Sequence, residues 1–192
     1  MRPALKSALF FALTWSLIKM GFFYLGIFQE DIFIPGLINN LFLLAAISVG
    51  LYFEKKREGF GEGTALSDIK HSMIAGAPYA LLVAIFMYFY YTDINPDYVE
   101  TRISDRMDLV YDAMQRESYV DSLKIQSPEF NVLTNEEIYT DIRLSTVSAY
   151  SPKALLTFSL LGLMILGLTY SIFITVIFRK ILLRDFYSNS SI

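Results

Sequence analysis

The chain has 192 residues, of which 54% are hydrophobic and 16% aromatic, with no cysteine and a formal net charge of -3. Its mean hydropathy of +0.43 is high for a soluble protein, which indicates a membrane environment. The lack of cysteine excludes disulfides, thiolate metal sites, cysteine nucleophiles and a lipoprotein anchor, and the small net charge argues against a nucleic-acid partner.

Four apolar segments are each long enough to cross a bilayer as a helix. They cover residues 7–28, 32–53, 72–91 and 154–178. A helix rises ~1.5 Å per residue, so about 20 residues span ~30 Å of hydrocarbon. Lipid cannot hydrate an unpaired backbone, and no segment has the alternating pattern of a barrel strand. We therefore predict an all-α polytopic membrane protein, a four-helix bundle whose first segment is retained rather than cleaved as a signal peptide.

The basic residues near the segment ends predict that both termini are cytoplasmic, because positive charge resists translocation. The short pieces assigned to that side carry nine: Arg2, Lys6, Lys55, Lys56, Arg57, Lys70, Arg179, Lys180 and Arg184. On this basis residues 1–92 hold the first three helices with a cytoplasmic loop at 54–71. Residues 93–153 form an extracytoplasmic segment, and residues 154–192 hold the fourth helix and a cytoplasmic tail.

Residues 59–63 of the predicted cytoplasmic loop read Gly-Phe-Gly-Glu-Gly. A phosphate cradle would need a strand before the glycines, whereas a transmembrane helix precedes them here, so we predict a flexible turn. Thr64 and Ser67 are potential N-caps of the third helix. The single histidine, His71, is expected to be an interfacial residue.

Lys19 lies inside the first apolar segment, and Asn39 and Asn40 lie at a similar depth in the second. An ionisable residue within a span is costly and marks function or a specific partner. We predict that Lys19 faces the bundle interior and is hydrogen-bonded near Asn39 or Asn40, which makes these three residues a candidate intramembrane polar site. The alternative is that Lys19 extends along the surface of its helix to the outer headgroups.

Small residues recur at four-residue intervals within the segments: Gly76, Ala80 and Ala84, Gly167 and Ser171, and Ala46 and Gly50. Such stripes allow close helix approach in a membrane. We predict that they pack the bundle internally, with a homo-oligomer as the alternative. Pro78 is expected to kink the third helix.

The segment 93–153 contains twelve acidic and six basic residues, a net charge of -6. A helix is predicted to start at Asn95-Pro96, with an apolar stripe that continues to Met114: Val99, Ile103, Met107 and Val110. A second helix is predicted from the capping-box spacing of Thr134 and Glu137, with residues 127–131 as a connection. We expect a helical hairpin packed on its apolar faces, and the stripe is also the candidate face for a protein partner.

Three carboxylates of the first outer helix share one face: Asp105, Asp108 and Asp112. Oxygen ligands of this kind suit Ca²⁺ or Mg²⁺. A solvated face paired with Arg102, Arg106 and Arg116 explains the same spacing. We therefore predict no metal site and no cofactor.

Short motifs are spread over most of the chain: residues 61–67, Ala75-Gly76, Tyr79-Ala80-Leu81, Tyr90-Tyr91, Ile94-Asn95-Pro96-Asp97-Tyr98 and Phe178-Arg179-Lys180. This pattern resembles a family of small bacterial inner-membrane proteins of four predicted spans, catalogued as a domain of unknown function. The resemblance implies the topology and a bacterial inner membrane. Since the family has no established activity, it implies no catalytic residues.

Two classes of function remain open. The first is a non-enzymatic membrane component, surrounded by membrane lipids, whose acidic outer segment contacts a partner. The second is a small transporter or channel subunit, indicated by the polar residues and by Pro78 at membrane depth. An enzyme is not predicted, because nucleophile candidates such as Ser16 and Ser159 have no His or Lys partner that the sequence places beside them.

Overall fold

The computed structural model describes residues 1–29 and 31–182. This part of the chain is helical and contains no strand, which confirms the all-α prediction. Its α-helices are α1 (Pro3–Tyr24), α2 (Phe33–Glu58), α3 (Ala65–Phe89), α4 (Pro96–Met114), α5 (Glu117–Gln126), α6 (Asn135–Ala149) and α7 (Pro152–Ile177). A π-helical turn continues α3 over Tyr90–Ile94, another continues α7 over Phe178–Leu182, and a 3₁₀ turn covers Pro128–Val132.

Four helical segments are long and apolar enough to cross a membrane: Pro3–Tyr24, Phe33–Glu58, Ala65–Ile94 and Pro152–Ile181. The prediction of a multi-pass membrane protein is supported to that extent. The second and third segments are longer than the predicted apolar runs because α2 and α3 continue into charged residues on either side of the glycine loop.

The chain folds as two compact units. The first, here called the bundle, comprises the described residues within 1–87 and 157–182. The second, here called the acidic unit, comprises Tyr88–Leu156 and corresponds within a few residues to the segment predicted outside the apolar runs.

Small residues bring the helices of the bundle close together. A Cβ atom added at Gly50 of α2 would lie 2.6 Å from the Ala75 Cβ of α3 and 3.5 Å from the Ala4 Cα of α1. One added at Gly76 would lie 3.2 Å from the Ile47 Cδ1. The remaining members of the small-residue stripes lie inside the bundle too: Ala46, Ala80, Ala84, Gly167 and Ser171. These stripes pack the bundle internally.

Large side chains fill the centre of the bundle, where Trp15, Leu43, Ile47 and Tyr79 are almost fully buried. The outer surface is apolar as well: Phe10, Leu13, Leu17, Phe158 and Phe173 are each more than half exposed. Helices that are apolar all round are expected where lipid replaces water around the protein. The α3 helix continues through Pro78.

The acidic unit has its own small core, in which Val120 of α5, Phe130 of the 3₁₀ turn and Ile138 of α6 pack together. The unit therefore contains three α-helices where the sequence predicted two, and the region 127–131 is a 3₁₀ turn rather than a plain connection. The α5 helix was missed because a helix of ten residues has too few turns for its apolar periodicity to be recognised.

The α6 helix begins with the predicted capping box. The Thr134 hydroxyl accepts a hydrogen bond from the Glu137 N–H at 3.3 Å, and Glu137 Oε2 accepts one from the Thr134 N–H at 2.8 Å. The backbone hydrogen bond from Thr134 holds the pKa of Glu137 below its usual value.

Candidate functional site

A cluster of buried charges joins three elements at one end of the bundle. Asp68 lies in the first turn of α3, and its Oδ1 is 2.6 Å from Lys55 Nζ of α2. Its Oδ2 is 2.6 Å from Nε of Arg179, which follows α7. The side chains of Lys55 and Asp68 are each 2% exposed, and that of Arg179 is 23% exposed. We call Lys55, Asp68 and Arg179 the charged triad; its single carboxylate connects three transmembrane segments.

The loop between α2 and α3 supplies two more acceptors. Gly59 and Gly63 have φ angles of 115° and 82°, in the left-handed region that favours glycine. Lys55 Nζ donates to the Glu62 carbonyl, and Arg179 Nη2 donates to the Gly63 carbonyl at 2.5 Å. The loop thus presents carbonyls to cations, whereas a phosphate cradle presents N–H groups.

The start of α3 positions Asp68. The Thr64 hydroxyl accepts a hydrogen bond from the Ser67 N–H at 3.2 Å, as expected of an N-cap. Asp68 follows in the first turn, where the helix dipole favours negative charge. Local sequence therefore fixes where this carboxylate stands on α3.

A second buried carboxylate, Glu54, connects α1 and α2 at the same end. Glu54 is 0% exposed; its Oε1 accepts from the Ala4 N–H at 3.4 Å, and its Oε2 is 2.7 Å from Arg57 Nη2. His71 Nδ1 lies 3.3 Å from Glu58 Oε2, so the histidine does have a carboxylate beside it. With these contacts, the network of charged side chains at this end of the bundle extends beyond the triad.

The interactions that these charged groups form are ion pairs and hydrogen bonds. The triad carboxylate and its two cations are in direct contact, and loop carbonyls take up further donors. Within residues 1–29 and 31–182, no group of three or more His, Cys, Asp or Glu residues could hold a metal ion. In the acidic unit, Asp105 Oδ2 lies 3.9 Å from Arg102 Nη1.

The structure places Lys19 in the interior of the bundle, where it is 3% exposed. Its side chain does not lie on the lipid-facing surface of α1. Asp31, in the connection to α2, attracts it electrostatically. Asn39 accepts hydrogen bonds from the Tyr79 hydroxyl at its Oδ1, at 2.7 Å, and at its carbonyl, at 3.1 Å. Asn40 is half-buried, and the hydrogen bond between Lys19 and either asparagine stays a prediction.

Three buried polar groups have neither a hydrogen-bond partner nor an ion-pair partner among the described residues: Trp15 Nε1, Ser72 Oγ and Thr175 Oγ1. Ser72 follows Asp68 by one turn of α3, and Thr175 precedes Arg179 by one turn. Both hydroxyls therefore lie one turn deeper in the membrane than the triad. Buried polar groups without protein partners commonly bind water.

The apolar stripe of α4 is used largely within the acidic unit. Met107 and Val110 are 5% and 3% exposed, and Val99 and Ile103 are half-buried. The stripe therefore packs the unit, and Val99 and Ile103 remain partly accessible.

A more open surface of the acidic unit is a cleft between α4 and α6. Its volume is about 440 Å³, and its lining comprises Tyr111, Met114, Gln115, Asn135, Glu136, Tyr139 and Thr140. The rings of Tyr111 and Tyr139 meet edge to face with centroids 6.2 Å apart. Tyr111 is 59% exposed. We call these seven residues the α4–α6 cleft.

Sequence reasoning missed the triad, Glu54 and the cleft. Lys55 and Arg179 were used only as topology signals. The sequence did contain one indication that some of these cations are paired. An acidic residue lies on each side of the glycine loop: Glu54 before it and Asp68 after it. Apart from Met114, the last residue of the apolar stripe, the cleft residues lie off that stripe and gave no periodic signal. No family model matches the chain, and no curated protein or solved structure shows significant similarity to it.

Proposed function

We propose that this protein is a non-enzymatic membrane component that holds an acidic helical unit outside the membrane, where the unit binds a basic protein partner. The α4–α6 cleft carries the proposal, because it leaves Tyr111 and Met114 accessible on a unit that has already buried Met107 and Val110 of its apolar stripe. Aromatic residues in partly enclosed pockets are the usual anchors of protein interfaces.

The charge of the segment indicates the chemistry of the partner. Residues 93–153 carry a net charge of -6, and Glu136 lines the cleft itself. A partner with basic residues around an apolar side chain would match both features. Charge complementarity of this kind raises the association rate and selects among partners.

The distribution of basic residues supports the proposed location of the acidic unit outside the membrane. Lys55, Arg57 and Arg179 lie at the triad end of the bundle, and positive residues stay on the cytoplasmic side. The chain enters and leaves the acidic unit at the opposite ends of α3 and α7. Together with the resemblance, this supports our proposal of a bacterial inner-membrane protein with both termini in the cytoplasm.

Single cysteines test both parts of the proposal, since the chain has none of its own. In intact cells, a membrane-impermeant maleimide should label Gln126→Cys, which is exposed on α5, and leave Lys180→Cys unlabelled. Thr140→Cys lies in the cleft and should be protected in native membranes. It should become as reactive as Gln126→Cys once the purified protein is separated from its partner.

The variants separate the two claims. Labelling of Lys180→Cys with protection of Gln126→Cys in intact cells would contradict the topology. Equal labelling of Thr140→Cys and Gln126→Cys in native membranes would contradict a partner in the cleft, whichever side the unit faces. Tyr111→Ala should abolish the protection of Thr140→Cys, because it removes an anchor of the cleft.

A second candidate, a small transporter, is favoured by the buried position of Lys19 and by the hydroxyls of Ser72 and Thr175 inside the bundle. In vesicles with an entrapped pH dye, the protein should carry protons, and Lys19→Met should remove this flux. Lys180→Met, at an exposed cation, should retain it. Vesicles of the unsubstituted protein as tight to protons as empty vesicles would contradict this candidate.

A further inference from the structure

A groove of about 380 Å³ runs between α1 and α2 at the triad end of the bundle. Residues of α1 at helical spacings i, i+3, i+4, i+7 and i+8 form one wall, and two residues of α2 one turn apart form the other. The lining is Pro3, Lys6, Ser7, Phe10, Phe11, Val49 and Phe53. The groove is therefore a continuous slot along two membrane-spanning helices.

The dimensions of the groove match one leaflet of a bilayer. From Pro3 to Phe11 the helix rises ~12 Å at ~1.5 Å per residue, and half of a ~30 Å hydrocarbon core is ~15 Å. Phe10 and Phe53 are 64% and 43% exposed. The Ser7 hydroxyl donates to the Ala46 carbonyl at 3.0 Å, so the hydroxyl in this wall is already engaged. Such a slot suits a hydrocarbon chain.

Two cationic side chains lie at the end of the groove that is formed by the first residues of α1. Lys6 lines it and Arg2 precedes Pro3; both are exposed, and neither has an ion-pair partner among the described residues. The nearby carboxylate of Glu54 is buried and is already bonded to Ala4 and Arg57. The mouth of the groove therefore carries uncompensated positive charge, whereas the triad cations contact Asp68.

From this slot and its charge we propose that the groove binds one acyl chain of an anionic glycerophospholipid, whose phosphate contacts Lys6 and Arg2. The charge complementarity selects an anionic lipid over a zwitterionic one. The site lies wholly within the bundle and does not depend on the partner proposed for the acidic unit.

A tryptophan in the groove can measure this preference. Trp15 is the single tryptophan and is 1% exposed, so Phe10→Trp in a Trp15→Phe background gives a reporter at the site. In mixed vesicles, quenching of this reporter should show that brominated phosphatidylglycerol binds about five-fold more tightly than brominated phosphatidylcholine for each cation involved. This factor corresponds to ~1 kcal/mol per basic residue near an anionic surface. A control reporter, Phe173→Trp on α7, should show no such preference.

Charge variants link the preference to the groove. Lys6→Gln should reduce the selectivity about five-fold, and Lys180→Gln, at another exposed cation of the same end, should leave it unchanged. Equal quenching by the two lipids at Phe10→Trp would overturn the proposal, as would the same preference at Phe173→Trp. Native mass spectrometry needs no tryptophan change: the unsubstituted chain should retain phosphatidylglycerol after detergent exchange and Lys6→Gln should lose it, and equal retention would overturn the site.

Discussion

Replacement of Asp68 with alanine is expected to lower the free energy of unfolding of the bundle by about 3–5 kcal/mol. Asp68 is the carboxylate that both Lys55 and Arg179 contact, and its side chain is 2% exposed. Removing one member of a buried ion pair leaves the desolvation cost of the other in place. Unfolding of the purified protein by increasing SDS in mild detergent, followed by circular dichroism, measures the change.

Two further variants show whether burial is the cause. Glu58→Ala removes a carboxylate that contacts Arg57 and His71 but is 35% exposed, so its effect should stay below about 1 kcal/mol. The double variant Lys55→Met, Asp68→Leu should be more stable than Asp68→Ala alone, because the buried pair is then replaced by apolar side chains. If Asp68→Ala and Glu58→Ala unfold at the same SDS concentration, the triad does not stabilise the bundle.

Replacement of Gly50 with leucine is expected to cost about 3 kcal/mol or to prevent the helices from packing. The first side-chain carbon alone would lie 2.6 Å from the Ala75 Cβ and 3.5 Å from the backbone of Ala4. Alanine has no rotamer by which to move aside, so α1 or α3 would have to shift. The same SDS titration reports the loss.

Gly162 on α7 is the matched control. A Cβ added there meets no heavy atom within 4 Å, so Gly162→Leu should leave stability unchanged or raise it by up to ~1 kcal/mol, the difference in helix propensity. Gly50→Ala should fall between the two leucine variants. A Gly50→Leu protein as stable as Gly162→Leu would show that α1, α2 and α3 do not approach as closely as described.

The Asp68 substitution concerns a part of the bundle that the proposed proton conduction would also need. Asp68 and Arg179 stand one turn outside the buried hydroxyls of Ser72 and Thr175. Loss of the triad contacts would therefore disturb the packing at this end of the bundle and the surroundings of the two buried hydroxyls. Neither the groove between α1 and α2 nor the α4–α6 cleft is lined by a triad residue.

The sequence alone determined the helical class and the number of membrane-spanning helices. Both depend on the hydropathy of continuous segments, because lipid leaves a backbone no partner except its own helix. It also determined the capping box at Thr134 and the cap at Thr64, whose partners are three residues away. The acidic character of residues 93–153, and with it the expected charge of a partner, is a property of composition.

Only the tertiary structure decided which of these residues meet. Asp68 contacts Arg179, 111 positions along the chain, and Tyr79 contacts Asn39, 40 positions away. For Lys19 the depth in the membrane was predictable from its position in the apolar segment, but two directions of the side chain stayed open, because the rotation of an apolar helix about its axis is set by its neighbours. The same reason explains the α4 stripe: periodicity shows that Val99, Ile103, Met107 and Val110 share a face, whereas the packing of α4 against α6 decides how much of that face a partner could reach.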